Sequence, residues 1–272
     1  LFRSMIHLDS KWSIFFLLSF IVLLANVNFD FKYFSLFHFY MIATLMFLTT
    51  AAELYGLYKG PHSYSDIIRV VSTFGGPNNA GIIAAAFSLL FYQEFNKNLN
   101  ISSLIFSFFS FLVMISTSSI SALIAFFIVC LYFYKKIAWV FLVVIFYILI
   151  DQTGYLYLKF ENIYDGLMLI DSSLSRSTVD RLDMASNFIE IIRTPSGFFF
   201  GGDYVAESDF LNIFGRFGFV SFCLFGYFLY SLKFTPILWL GLVQSIFTPF
   251  WFSFPSLPLL LFIDRYCRYR DK

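Results

Sequence analysis

The sequence predicts an all-α polytopic integral membrane protein of about nine transmembrane helices, with one long outer loop that contains an amphipathic helix. Two observations carry this. Of the 272 residues, 59% are hydrophobic and only 13% charged, whereas a soluble domain holds about 25% charged residues. The apolar residues also fall in runs long enough to cross a bilayer, for which about 20 residues suffice. Short polar breaks separate these runs, apart from one long polar interval at 151–209.

Taken in order, the first two spans cover residues 12–29 and 33–57. A polar segment follows at 58–79, holding Lys59, Gly60-Pro61, Asp66, Arg69 and Gly75-Gly76-Pro77-Asn78-Asn79. That last cluster is a turn signal placed before an apolar run, so backbone amides are free where the next helix begins. Span three covers 80–95 and is closed by Asn96-Lys97-Asn98. The run 101–150 is too long for one crossing, and Ser116-Thr117-Ser118-Ser119 and Lys135-Lys136 divide it into three. After the long loop come spans at 210–232, 236–250 and 255–263, the last being the weakest. The chain 1–272 thus reads as one transmembrane domain with a loop at 152–208. Leu1 suggests an unusual start codon or a chain cut from a longer one, and the first apolar run lacks a small-residue cleavage site for a signal peptide.

Orientation follows from the distribution of lysine and arginine. With the long loop outside, Lys32, Lys97, Lys135, Lys136, Lys233, Arg265, Arg268, Arg270 and Lys272 fall inside. The short outer segments then hold Arg3, Lys11, Lys59 and Arg69, so the count is nine against four. The Arg69 segment shares the outer face with the long loop. A net charge of +1 gives no hint of nucleic-acid binding, and no basic patch with a reading motif is present. Cys130, Cys223 and Cys267, and His7, His38 and His62, show neither a disulfide framework nor metal-ligand spacing.

Within the long loop, residues 177–193 (STVDRLDMASNFIEIIR) have a helical pattern. Ser177 and Asp180 have the spacing of a capping box. Val179, Leu182, Ala185, Ile189 and Ile192 recur at helical spacing as an expected apolar face. Thr194-Pro195 and Gly197 end it, because proline cannot continue the hydrogen-bond ladder. Gly201-Gly202, the acidic Asp203, Glu207 and Asp209, and the next apolar run follow.

Several residues carry chemistry as readily as structure. Arg69 and Arg181 present the guanidinium fork that matches phosphate oxygens, and also fit as headgroup anchors. Arg176 is a further phosphate candidate, while Arg193 suits the last helical turn as a complement to the macrodipole. Glu207 and Asp209 can supply a general base, or Asp209 can simply favour a helix start. Arg216, about two turns inside its span between Gly215 and Gly218, faces a cavity or partner, or snorkels to the interface. Glu53 poses the same question nearer a helix end. Asn78 and Asn79 line the same cavity in this reading.

Four places, in this order along the chain, resemble the O-antigen polymerase and O-antigen ligase family of bacterial envelope enzymes. Arg69 followed by Phe74-Gly75-Gly76-Pro77-Asn78-Asn79-Ala80 is similar to an arginine, glycine and Pro-Asn segment that opens a helix. Ser116-Thr117-Ser118-Ser119-Ile120-Ser121-Ala122-Leu123 resembles a polar turn into a transmembrane helix, without the arginine many members have there. Arg181 with Pro195, Gly197, Gly201 and Gly202 resembles the long-loop signature, without its usual tryptophan. Glu207-Ser208-Asp209-Phe210-Leu211 through Gly218 resembles the entry into the next helix, with Glu207 where ligases often carry histidine.

The resemblance implies an inner-membrane glycosyltransferase with its active face in the periplasm and with neither metal nor other cofactor. Its donor would be an oligosaccharide on undecaprenyl diphosphate, and its other partners membrane lipids and a chain-length regulator. Glu207 and Asp209 would then be catalytic, and Arg69, Arg181 and Arg176 would bind the diphosphate, with Arg216, Asn78 and Asn79 lining the cavity. Members generally have near a dozen helices, so the expectation includes missing N-terminal spans. Ligase, lipid-linked oligosaccharide flippase and structural subunit stand as the other readings.

Overall fold

The computed structural model describes residues 35–57, 72–74, 76–134, 176–202, 204, 208–231, 235–247 and 256–270. In chain order the α-helices are α1 (Leu36–Leu54), α2 (Pro77–Asn98), α3 (Ile101–Ser116), α4 (Ile120–Val129), α5 (Arg176–Arg193), α6 (Pro195–Phe200), α7 (Asp209–Ser231), α8 (Pro236–Phe247) and α9 (Ser256–Arg270). A short 3-10 turn, Ser72–Phe74, precedes α2, and α4 continues as a π-helical turn, Cys130–Tyr134. The described residues are all-helical, with no strand among them. The expected spans at 12–29 and 135–150 and the loop region 151–175 lie outside the described residues. Two helical stretches, Leu36–Leu54 and Asp209–Tyr227, are long and apolar enough to cross a membrane.

The chain divides into two compact units. The first comprises Leu1–Tyr134, Phe234–Gln244 and Phe250–Lys272, and α2 is its central helix. Gly76 takes the extended conformation at the N-cap and Pro77 stands at the first helical position, where its missing amide costs nothing. Every residue from Ala80 to Phe91 is buried, as expected of a helix packed on all sides. Small side chains let neighbours approach closely. Ser107 Oγ of α3 donates to the Ser88 carbonyl of α2 at 2.8 Å. Tyr40 of α1 stacks on Phe91 at 5.0 Å, and its hydroxyl shares a 2.6 Å hydrogen bond with Ser103 Oγ. The opposite face of α1 exposes Phe37, Met41, Leu45 and Leu48, an apolar stripe at helical spacing.

The second unit comprises Lys135–Lys233 and Ser245–Pro249. Here α5 ends at Arg193, as the Thr-Pro pair predicts, but the same pair starts another helix. Thr194 Oγ1 accepts from the Gly197 amide at 3.0 Å and Pro195 occupies the first turn of α6. The start of α5 differs from expectation: the helix already includes Arg176, so Ser177 lies inside it instead of capping it. The packed face differs in part. Of the expected positions whose side chains are described, Ala185 and Ile189 are exposed and Ile192 is half-buried, while Phe188 meets Tyr204 and Phe214 at 5.5 and 5.4 Å and Ile191 packs on Gly202.

Candidate functional site

The four family-like segments pair off two by two, one pair in each unit. In the first unit, the start of α2 meets the start of α4. Ser119 is the N-cap of α4 and its Oγ accepts from the Ala122 amide at 3.3 Å. The same hydroxyl donates to Asn78 Oδ1 at 2.9 Å. A further 3.2 Å bond joins Ser119 Oγ to Ser121 Oγ, which accepts from Gln244 Nε2 of α8 at 3.0 Å. The helices come this close because position 81 is glycine: a Cβ there would stand 2.9 Å from both Ala122 Cβ and Thr117 Oγ1. Between them Ser118 holds φ at 49°, a left-handed conformation uncommon for residues other than glycine. Two helix N-termini, each the positive end of its dipole, therefore lie side by side among hydroxyl and amide groups. Asn79 sits half-buried in the first turn of α2.

In the second unit, the turn after α6 crosses α7 backbone against backbone. The Gly202 amide donates to the Gly215 carbonyl at 2.7 Å. Gly201 adopts φ 74°, ψ −172° and Gly218 φ 77°, ψ −177°, a region that is essentially glycine-only. A Cβ on Gly201 would overlap the Arg216 carbonyl, and one on Gly218 the Phe199 carbonyl. Gly218 also breaks α7 into two helical pieces. Arg216 Nε donates to the Tyr204 carbonyl. The Tyr204 ring packs against Gly215. Its hydroxyl is buried and has no hydrogen-bond partner among the described residues.

The predicted site residues are distributed as follows. Asn78, Asn79, Arg216 and Asp209 belong to these two junctions or stand beside them. Asp209 is the first residue of α7 and fully buried, where a carboxylate favours the helix start. Arg176 and Arg181 lie on α5, with side chains outside the described set. Arg69 and Glu207 lie outside the described residues. Glu53 is buried near the end of α1.

Sequence reasoning missed a third cluster. Buried Glu94, within an apolar run, accepts from Arg270 at 2.8 Å and from Asn98 at 3.1 Å. One turn back on α9, Asp264 pairs with Arg268 at 2.9 Å and accepts from the Thr235 hydroxyl. Burial pushes the Asp264 carboxyl above the usual range, against the opposing pull of Thr235 and Arg268. The signal is present, since a carboxylate inside a predicted span calls for a partner, but the bias of lysine and arginine assigns the C-terminal arginines to a side of the membrane and not to a partner.

No protein-family model matches this chain, and no curated protein or solved structure does either.

Proposed function

We propose that this chain is an O-antigen polymerase: a multi-pass protein of the bacterial inner membrane, of about nine transmembrane helices, that joins oligosaccharide repeat units carried on undecaprenyl diphosphate. The reading rests on the four resembling segments. The observation that carries it is their pairing, Asn78 with Ser119 and the Gly201-Gly202 turn with Gly215 to Gly218. Segments far apart in sequence that share a function are expected to meet in space, and here the first segment meets the second and the third meets the fourth.

In this reading, a sugar hydroxyl of one lipid-linked unit attacks the anomeric carbon of another at the periplasmic face. The carbon–oxygen bond to the diphosphate breaks and the lipid diphosphate leaves with the electron pair. Arg69 and Arg181, with Arg176, stabilise the charge that develops there. Paired helix N-termini at Asn78 and Ser119 favour an anion by the same physics. The hydroxyl proton passes to Glu207. Asp209 is better explained by its structural place, buried in the first turn of α7. A chain-length regulator is the protein partner expected of such an enzyme.

The break in α7 at Gly218 favours a second reading, because discontinuous spans mark the substrate sites of transporters. A lipopolysaccharide gel from a strain lacking the gene separates the readings. A single repeat unit on core supports the polymerase, whereas bare core supports the flippase or the ligase and removes the polymerase reading.

A further inference from the structure

We propose that Thr50 and Glu53, at the outer end of α1, form a subsite for the neutral glycan of the lipid-linked substrate, where the Thr50 hydroxyl and the Glu53 carboxylate bond sugar hydroxyl groups. The proposal rests on the polymerase reading and gives the sugar a place distinct from the residues that would hold the diphosphate.

The buried face of α1 changes character along its length. Phe39, Ala43, Met46, Thr50 and Glu53 are its buried residues and recur at helical spacing, the first three apolar and the last two polar. Phe39 lies 6.3 Å from Phe87 and Tyr40 5.0 Å from Phe91, well inside α2. Further along, Met46 and Thr49 meet Ser72 of the 3-10 turn that leads into α2. α1 therefore runs antiparallel to α2. Thr50 and Glu53 stand at the end of the first unit where α2 begins, the end that carries the Asn78–Ser119 junction.

Packing does not account for the Thr50 hydroxyl. Of the three threonines on α1, Thr44 Oγ1 donates to the Tyr40 carbonyl at 2.8 Å and Thr49 Oγ1 to the Leu45 carbonyl at 3.0 Å, the usual bond of a helical threonine to the turn before it. The matching acceptor for Thr50 is the Met46 carbonyl, which Thr49 Oγ1 and Ser72 Oγ already share at 3.0 and 3.3 Å. Thr50 is 5% exposed, and its Oγ1 has no hydrogen-bond partner among the described residues. A hydroxyl removed from water without a partner destabilises the fold. Glu53, one turn on, is 3% exposed, and an ionisable side chain within an apolar, membrane-length helix marks a functional site. Both lie near the end of α1, where Leu54 and Tyr55 are exposed.

The chemistry of the two groups selects the ligand. A carboxylate accepts from O–H groups, and a threonine hydroxyl both donates and accepts. Set one turn apart on one helix face, the pair matches neighbouring hydroxyls of a sugar. A diphosphate does not suit this place, because its charge and that of Glu53 repel each other.

Steady-state kinetics and thermal unfolding test this with the full chain in vesicles of phosphatidylethanolamine and phosphatidylglycerol. The substrate is the undecaprenyl-diphosphate-linked repeat unit extracted from a strain lacking the gene. Thr50→Val exchanges the hydroxyl for a methyl group, and Glu53→Gln removes the charge at constant size. The expected result for Thr50→Val is a KM raised about 2–10-fold, the value of one neutral hydrogen bond, with kcat little changed. Glu53→Gln should raise KM at least as much, since bonds to an ionised acceptor are roughly twice as strong. Thr50→Val should melt no lower than the wild type, and Thr50→Ser should restore the wild-type KM. Thr44→Val, at an exposed position of the same helix, is the control and should leave KM unchanged. An unchanged KM in Thr50→Val or Glu53→Gln, beside a wild type that extends chains, overturns the proposal and leaves the polymerase reading standing. A lower melting temperature for Thr50→Val also overturns it, because the hydroxyl then has its partner inside the protein. Bare core on the gel of the deletion strain removes the polymerase reading, and the proposal with it.

Discussion

The two junctions are built from different materials. Where α2 meets α4, side chains make the contact: Asn78 to Ser119, Ser119 to Ser121, Ser121 to Gln244. Where the α6 turn meets α7, backbone meets backbone, and Gly201 and Gly218 are there for what they lack. A side-chain network loses about 0.5–1.5 kcal/mol when one neutral hydrogen bond goes. A backbone crossing has no such gradation, because a single added methyl group must overlap a carbonyl. The first junction therefore adds adjustable side-chain bonds to the close packing at Gly81, whereas the second rests on backbone contact.

The largest expected effect comes from Glu207, which lies outside the described residues. Glu207→Gln keeps size and hydrogen bonding but removes the proposed base, and loss of a general base costs about 10²–10⁴ in rate. Long polysaccharide chains should disappear on a gel while the protein stays at its normal level in the membrane. Asp209→Asn should be milder, since the amide keeps the size and one hydrogen-bonding oxygen of the carboxylate at the helix start. Normal chain length in Glu207→Gln cells at native expression would remove Glu207 as the base.

Next in size are the glycines, which test whether the second junction is rigid. Gly218→Ala and Gly201→Ala should each cost at least about 1–3 kcal/mol from backbone strain alone, before the overlap with the facing carbonyl is counted. Gly226 in the same helix has open space around it, so Gly226→Ala should be neutral, or stabilising by up to about 1 kcal/mol. Thermal loss of the monodisperse detergent-solubilised species measures all three. Equal tolerance at 201, 218 and 226 would break the contrast between the junctions.

Much of this was legible in the sequence and some could not be. The polar break at 116–119 and the end of α5 at Arg193 followed from serine, threonine and proline, whose backbone effects are local, and the spans expected from 80 and 210 begin a little earlier, at Pro77 and Asp209. The pairing of Asn78 with Ser119 was not legible, because nothing in either segment names its partner. Nor was α6: six residues ending in Phe198-Phe199-Phe200 show no helical period, and the Thr194 cap shares its signal with the end of α5. The packed face of α5 was legible only in part for a related reason. Two stripes fit the spacing, and only the position of Tyr204 and Phe214 selects Phe188 and Ile191.

The smallest effect tests the first junction through its central bond. Ser119→Ala removes the α4 cap together with the Asn78 contact, and loss of a serine cap costs about 0.5–2 kcal/mol. Asn78→Ala removes the contact alone. If the two side chains act through their mutual 2.9 Å bond, the double variant should be less destabilised than the sum of the singles. The difference should be near 0.5–1.5 kcal/mol, the usual value of one neutral hydrogen bond. The same cycle run with Ser121→Ala in place of Asn78→Ala should give a smaller coupling, because the Ser119–Ser121 bond is longer at 3.2 Å and Ser121 has Gln244 as a second partner. Additive losses for Asn78 and Ser119 would mean that the two helix starts are held together by Gly81 packing on Ala122 and Thr117, and that the junction, like its counterpart on α7, depends on a missing side chain.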